Sequence, residues 1–526
     1  MSVSSEQLSI NGRRAISYGD WKMVNTCALE FIRREPSHPE GYFLKGKFEK
    51  SDKQVINATR SFEKALSIDE SRYDAAIELA SQYVMSARNY DAIALLERYG
   101  EHLGNSPRYL DMTGTIYTDI GLAGQALPFY RKACELQPEI ELFNANFAAC
   151  LVFTGDIDEA KGIYRSLLQK HPNHQRNHYY LARLDRAVDD EHVKEMLEVL
   201  KNTQLAPSQN VFVHYALGKE LEELDRWDES FEHYKLAGDG ASSVANYDIH
   251  EDEALLSKIT EVCSQEWLNE PVDIKADVSD KTPVFVLGLP RTGTTLTERI
   301  LSSHSLIESI GETKFLESVL RTKSGVPSLE KMIPEMIESL KTKDIVEIGN
   351  AYLNTVSYLC GEKPMFIEKL PYNFLYIGFI AKAFPNARII RLKRNPMDSC
   401  FAIYKQPFSW AYKFSYNLET LGRYYIAQDK LFSHWKAVLG DRIIEVEYEE
   451  LVGDQENQTR ILLDKLGLEF EESCLNFDQN KTATTTASSV QVREKIHSRS
   501  VHRWKRFETQ LEPLRNTLLA AGIVVD

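Results

Sequence analysis

The chain has 526 residues, with 43% hydrophobic and 10% aromatic residues, enough for about three or four domains with ordinary packed cores. Its formal net charge of −15 argues against a general nucleic-acid binder or a protein that coats acidic membranes, so residues that hold an anion have to be concentrated locally. The seven cysteines, at 27, 134, 150, 263, 360, 400 and 474, form no CxxC pair and read as reduced thiols, with neither a disulfide frame nor a zinc site. The opening run MSVSSEQLSINGRRAIS lacks the apolar core and cleavage site of a signal peptide, and no stretch reaches membrane-spanning length. A cytoplasmic, soluble protein is the expectation.

The first half repeats itself. Ala58, Ala92, Ala126 and Ala160 fall 34 residues apart, and four residues after each come Phe62, Leu96, Tyr130 and Tyr164. Gly121 and Gly155 keep the same step, Gly19 fits the grid three repeats before Gly121, and Pro138 and Pro172 are again 34 apart. A small residue followed one helical turn later by a large one, at this period, is the tetratricopeptide (TPR) signature, in which each unit is a pair of helices. The register weakens around residues 185–210 and returns with Ser230, Tyr234 and Ala237. About six or seven units are expected over residues 10–240, forming an all-α solenoid. Its concave face suits an extended peptide or another protein, and self-association or a spacer role remain open alternatives. Asn144, Asn146, Tyr179 and Tyr180 are candidates for lining it.

A helical segment leads into the polar stretch Asn269 to Lys281, where the boundary is placed, making residues 241–281 a helical linker. Beyond it, apolar runs at Val284–Leu287, Met365–Ile367, Ala387–Leu392 and Ile443–Glu447 alternate with amphipathic helices. That alternation predicts an α/β domain over residues 282–526 with a mainly parallel central sheet, whose ligand binds at the carboxyl ends of the strands.

The run from Pro283 to Leu301, PVFVLGLPRTGTTLTERIL, is a strand, a loop bounded by Gly288 and Gly293, and a helix start. Such a loop aims backbone N–H groups and the helix dipole at an anion. Pro290, Arg291, Thr292, Gly293, Thr294 and Thr295 are therefore candidate ligands. The glycine spacing fits a P-loop, yet Thr294-Thr295 stands where a nucleotide-triphosphate loop has Lys-Ser/Thr. The only cation in the loop is Arg291, whose rigid fork suits a phosphate or sulfate. About 100 residues on, FPNARIIRLKRNPMDSC places Arg394 at a strand end, stopped by Asn395-Pro396, where it can hold a second anionic group.

These two segments resemble the 5′-phosphosulfate loop and the 3′-phosphate segment of the sulfotransferases that use PAPS, 3′-phosphoadenosine 5′-phosphosulfate. With the repeats in front, the chain is most similar to bacterial TPR-containing sulfotransferases, a branch similar to the tyrosylprotein sulfotransferases. The resemblance implies further roles. Glu312, in Gly311-Glu312-Thr313, would be the general base. Lys369, in IEKLPYNF (Ile367 to Phe374), would lie near the sulfuryl group, and Tyr448 would contact the nucleoside. In the terminal run Ala487 to Arg493 and at Arg503-Trp504, Ser488, Arg493 and Arg503 would touch PAPS.

Two departures from the family stand out. The usual serine eight residues after the 3′-phosphate arginine is Ala402 here, leaving one hydroxyl contact unmade unless Ser399 substitutes. Glu312 is followed by Thr313, Lys314 and Phe315, with no arginine of the kind that reads acidic peptides. The implied reaction moves a sulfuryl group from PAPS to a hydroxyl and leaves 3′,5′-ADP. Arg291, the loop amides and Lys369 would stabilise charge on the leaving oxygen, Glu312 would take the acceptor's proton, and no metal is called for. Expected partners are PAPS, an acceptor (peptide, glycan or small molecule) and a protein partner or second copy on the repeats, with no nucleic acid and no membrane. A catalytically silent TPR scaffold and a P-loop kinase with an altered loop stay open as alternatives.

Overall fold

The computed structural model describes residues 4–86, 88–104, 106–272, 281–327, 331–408, 410–480, 482–486 and 488–525, with the backbone alone at 410 and 411. Ala487 and the centre of the polar boundary stretch, residues 273–280, lie outside the described residues. The chain divides into two compact units, Met1–Cys150 and Leu151–Asp526. Among the described residues no helix is long and apolar enough to cross a membrane.

The first unit is built of antiparallel helix pairs, among them Pro39–Ser51 with Val55–Ile68 and Pro107–Asp119 with Ala123–Leu136. Ala58, Ala92 and Ala126 have no exposed surface. The reason for the 34-residue spacing is visible between the partners of each pair. A Cβ added to Gly46 would lie 2.6 Å from the Phe62 ring, and one added to Gly114 would lie 2.9 Å from Tyr130. The first helix must present a small residue for the aromatic ring of the second to seat.

The pattern continues in the second unit. Ala160 and Tyr164 are buried in the helix Ile157–Lys170, and Ser230, Tyr234 and Ala237 in Trp227–Ala245. Between them stand Gln175–Leu184, Glu191–Thr203 and Val211–Glu223, of which Glu191–Thr203 falls where the sequence register weakens. These helices share a unit with the α/β part. The buried Glu222 carboxylate receives Lys405 Nζ at 2.9 Å and Arg503 Nε at 2.9 Å. The segment expected as a linker is also packed: Arg423 holds Glu253 at 2.6 Å, and Trp267 meets Phe379 edge to face with ring centroids 5.4 Å apart.

The sheet has five parallel strands, β1 (Thr282–Gly288), β2 (Ile307–Gly311), β3 (Met365–Lys369), β4 (Arg388–Lys393) and β5 (Ile443–Glu447), in the order β2-β3-β1-β4-β5. The four expected strands are present with small shifts in their ends, and β2 is additional. β1 is central and buried on both faces, as its unbroken apolar run requires. β2 is an edge strand with half-buried Glu308 and Ser309 and an irregular register near Gly311, so it carries neither an apolar run nor clean alternation. From β1 the chain crosses to one side to make β2 and β3, then to the other for β4 and β5. The reversal puts the crevice at the carboxyl end of β1.

Candidate functional site

The segments that follow the carboxyl ends of all five strands contribute to one cavity. Pro290, Arg291, Gly293, Thr294 and Thr295 follow β1, Glu312 follows β2, Pro371 follows β3, Arg394 follows β4, and Tyr448 follows β5. The terminal segment adds Ser488 and Gln491.

The loop after β1 takes backbone shapes that fix its residue types. Gly288 has φ 150°, and a Cβ there would meet the Leu392 carbonyl oxygen at 2.8 Å. Gly293 has φ 101°, and a Cβ there would lie 2.6 Å from the Tyr448 ring. Arg291 itself has φ 65°, a left-handed conformation that costs a non-glycine residue on the order of 1–3 kcal/mol. Thr292 is buried, and its hydroxyl donates to the Leu289 carbonyl at 2.7 Å. It therefore closes the loop and does not line the cavity. Thr294 and Thr295 open the helix Thr294–Ser302, and the Thr295 hydroxyl lies 3.4 Å from that of Thr486.

Arg291 and Arg394 are neighbours. Arg394 Nη1 donates to the Arg291 carbonyl at 2.7 Å and Nη2 to the Ser500 carbonyl at 2.7 Å, while its guanidinium lies 4.8 Å from the centre of the Tyr448 ring. Arg291 donates to Ser488 Oγ, and to Gln491 Oε1 at 2.7 Å. Among the described residues neither arginine forms an ion pair with a carboxylate. Burial, then the like charges of Arg183 and Arg394, push Arg291 down to about 10, so it stays charged at neutral pH in an electropositive pocket.

A second ionisable cluster centres on Lys369 and meets the cavity through Glu312. Lys369 is fully buried, with its ammonium against Glu312 Oε1 and 3.6 Å from Glu298 Oε2. Glu298 is held by the Ser309 hydroxyl at 2.5 Å. Behind them Glu368 accepts from Thr313 at 2.7 Å and from Tyr352, and burial pushes its carboxyl up to about 7. Beside Glu312, Phe408 and Tyr412 line the same cavity. The Tyr412 ring lies 4.7 Å from Tyr372 and 4.8 Å from Phe408. Burial, with the Glu312 charge adding to it, raises the Tyr412 phenol.

Arg493 and Arg503 are placed elsewhere. Arg493 donates to the Phe153 carbonyl at 3.0 Å and presses on Gly155, whose φ of 104° brings the backbone close. Arg503 is drawn to Glu222 and stacks on Trp227 at 4.9 Å. Ser399 is buried with its hydroxyl 3.4 Å from the Arg394 carbonyl, one turn of the helix Pro396–Tyr404 ahead of Ala402. Residues the sequence did not single out include Gln491, Thr486, Phe408, Tyr412 and the electrostatic neighbour Arg183. None has a short-range signal, because each meets the site only through folding.

A five-stranded parallel sheet with a glycine-bounded loop after its central strand defines a doubly wound type of α/β domain. Residues 283–472 match the model of the Sulfotransferase family, and this part of the chain, which follows the repeat-type helices, is similar to that family. An uncharacterized protein of Aquifex aeolicus is 30% identical over 422 residues, covering 79% of this chain and 55% of that protein. Protein-tyrosine sulfotransferase 1 of Danio rerio is 24% identical over 242 residues, covering 43% of this chain and 66% of that enzyme. The chain thus spans between about half and two thirds of the length of these relatives. Among solved structures, the sulfotransferase domain of the Synechococcus PCC 7002 olefin synthase aligns over 44% of this chain and 97% of its own, at 19% identity and a TM-score of 0.28. The TPR protein YrrB aligns over 40% of this chain and 97% of its own, at 18% identity and a TM-score of 0.28.

Proposed function

We propose that the chain is a sulfotransferase that moves a sulfuryl group from PAPS to a hydroxyl acceptor, protein tyrosine among the candidates, while the repeats bind the acceptor or a partner protein. The observation that carries this reading is the convergence of Arg291, Arg394 and Glu312 on one cavity at the carboxyl ends of the strands. PAPS carries anionic groups at two ends, and the residues present suit it. The two adjacent guanidinium groups have no carboxylate partner among the described residues, and the Nε of each is buried without a hydrogen bond. Arg291 and the amides of the loop would hold the phosphosulfate, Arg394 the 3′-phosphate, and Tyr448 a face of the nucleoside.

When bound, PAPS supplies the sulfuryl group: the acceptor oxygen bonds to sulfur as the bond from sulfur to the bridging phosphate oxygen breaks, leaving 3′,5′-ADP. Glu312 receives the acceptor's proton on a carboxylate oxygen. Lys369, held between Glu312 and Glu298, orients the Glu312 carboxylate, and its charge favours negative charge building nearby. The aromatic walls from Phe408 and Tyr412 suit an acceptor that presents its hydroxyl on an apolar or aromatic body. In this reading residues 282–526 are catalytic, 10–240 form the repeats and 241–281 connect them.

The test is transfer of radiolabelled sulfate from PAPS to acceptors in a cell extract. Transfer by the intact protein that is lost in Glu312→Ala supports the reading. No transfer by either protein favours the silent scaffold.

A further inference from the structure

Away from the cavity, three side chains of ligand type converge in the repeat-type helices of the second unit. They are His178, buried in the helix Gln175–Leu184, with half-buried His192 and exposed Glu195 in the helix Glu191–Thr203. A spacing of three residues puts His192 and Glu195 on one face of their helix. One potential ligand atom from each residue lies within 4.8 Å of the others.

The hydrogen bonds around the two rings assign their tautomers. His178 Nε2 lies 2.7 Å from the Pro172 carbonyl oxygen, which only accepts, so Nε2 carries a hydrogen. His192 Nδ1 lies 2.6 Å from Glu220 Oε1, and a carboxylate likewise accepts, so Nδ1 carries a hydrogen. The remaining nitrogens, His178 Nδ1 and His192 Nε2, face each other at 2.9 Å. As neutral imidazoles these two nitrogens would have no hydrogen between them, and a carboxylate oxygen of Glu195 lies within 4.8 Å of a ligand atom of each ring. Such a cluster of electron pairs calls for a cation. The backing of each ring by a carbonyl or carboxylate is the arrangement that orients metal-binding histidines.

We propose that His178 Nδ1, His192 Nε2 and a carboxylate oxygen of Glu195 bind one divalent transition-metal ion of the zinc class, with water completing the coordination. Two imidazoles and one carboxylate are a nitrogen–oxygen donor set suited to such an ion. Two zinc–nitrogen bonds of about 2.0–2.1 Å at a tetrahedral angle set the nitrogens about 3.3 Å apart, so the rings need part by only a few tenths of an ångström. The ion would fasten two helices across residues 185–190, where the 34-residue register fails and helix packing is least specified by sequence. The helix that carries His178 also carries Tyr179, whose hydroxyl reaches Gln406 at 3.4 Å. The spacing of His178 and His192 along the chain matches no short metal motif, and only the fold brings them together.

The experiment is a cobalt(II) titration of the metal-free full chain, followed by visible absorption, with zinc(II) as competitor. The proposal expects one cobalt per chain, bands of low-coordinate nitrogen and oxygen ligation, no sulfur-to-cobalt charge transfer, and displacement by zinc. Glu195→Gln, at an exposed position that leaves the fold intact, should weaken binding about tenfold or more, and His192→Gln should abolish it. No stoichiometric uptake, uptake with a thiolate spectrum, or equal affinity in wild type and Glu195→Gln would each overturn the site. A metal-free pair held by a shared proton would register as the first of these outcomes.

Discussion

Two arginine pairs, one in each unit, are treated in opposite ways. In the first unit Arg13 meets Glu40 at 2.6 Å and Asp74 at 2.9 Å, and Arg72 meets Asp74 at 2.7 Å. Hydrogen bonding to Glu40 leads the effects that raise the Arg13 pKa. In the second unit Arg291 and Arg394 lie side by side, turn to neutral oxygens, and Arg291 is pushed down to about 10. A matched charge holds helices in register. An unmatched pair at the end of a sheet costs stability and is expected only where an anionic ligand supplies the missing partner.

That contrast breaks first where packing alone is at stake. Tyr130→Ala removes the ring that seats on Gly114 and should destabilise the first unit by about 3–5 kcal/mol, read by thermal or denaturant unfolding. Affinity of the folded protein for 3′,5′-ADP should not change. Arg291→Ala should do the reverse, lowering turnover by about 10²–10³-fold with an unfolding curve at least as stable as wild type. An Arg291→Ala protein that turns over normally would place this arginine with the structural ones.

The buried Glu368 gives the comparison a pH axis. Its carboxyl sits near 7 in the fold against 4.5 when free, so the native state keeps a proton that the unfolded chain releases. The associated stability is fully present below about pH 4.5 and is lost as pH rises through 7. The difference amounts to on the order of 3 kcal/mol across that window. Unfolding measured against pH should show this fall in wild type and a flatter curve in Glu368→Gln. The smallest effect is expected from Arg394→Ala, which should weaken 3′,5′-ADP by about 10–100-fold through loss of a charge-assisted contact, with less change in turnover at saturating donor.

The periodic half of the fold is legible because packing itself is periodic: Ala58, Ala92 and Ala126 are buried for one repeated reason. The central strand β1 is legible because burial on both faces demands an unbroken apolar run. Strand β2 is not, since Ile307–Gly311 is a short edge strand with polar residues on it. In the site, the loop after β1 and Arg394 carry local signals, glycines at required backbone angles and a basic residue at a strand end. Gln491 and Tyr412 have no such signal, because each acquires its place from segments distant in sequence. Arg493 and Arg503 carry the expected charge, but the Phe153 carbonyl and the buried Glu222 carboxylate draw them away from the cavity.

The most direct test of the central claim is calorimetric titration of the full chain with 3′,5′-ADP, alongside ATP with magnesium. The account predicts one 3′,5′-ADP site per chain, tighter than the ATP site, weakened in Arg394→Ala and weakened further when Arg291→Ala is added. Affinity for 3′,5′-ADP that is unchanged in the double variant, or tighter binding of ATP with magnesium, would contradict it.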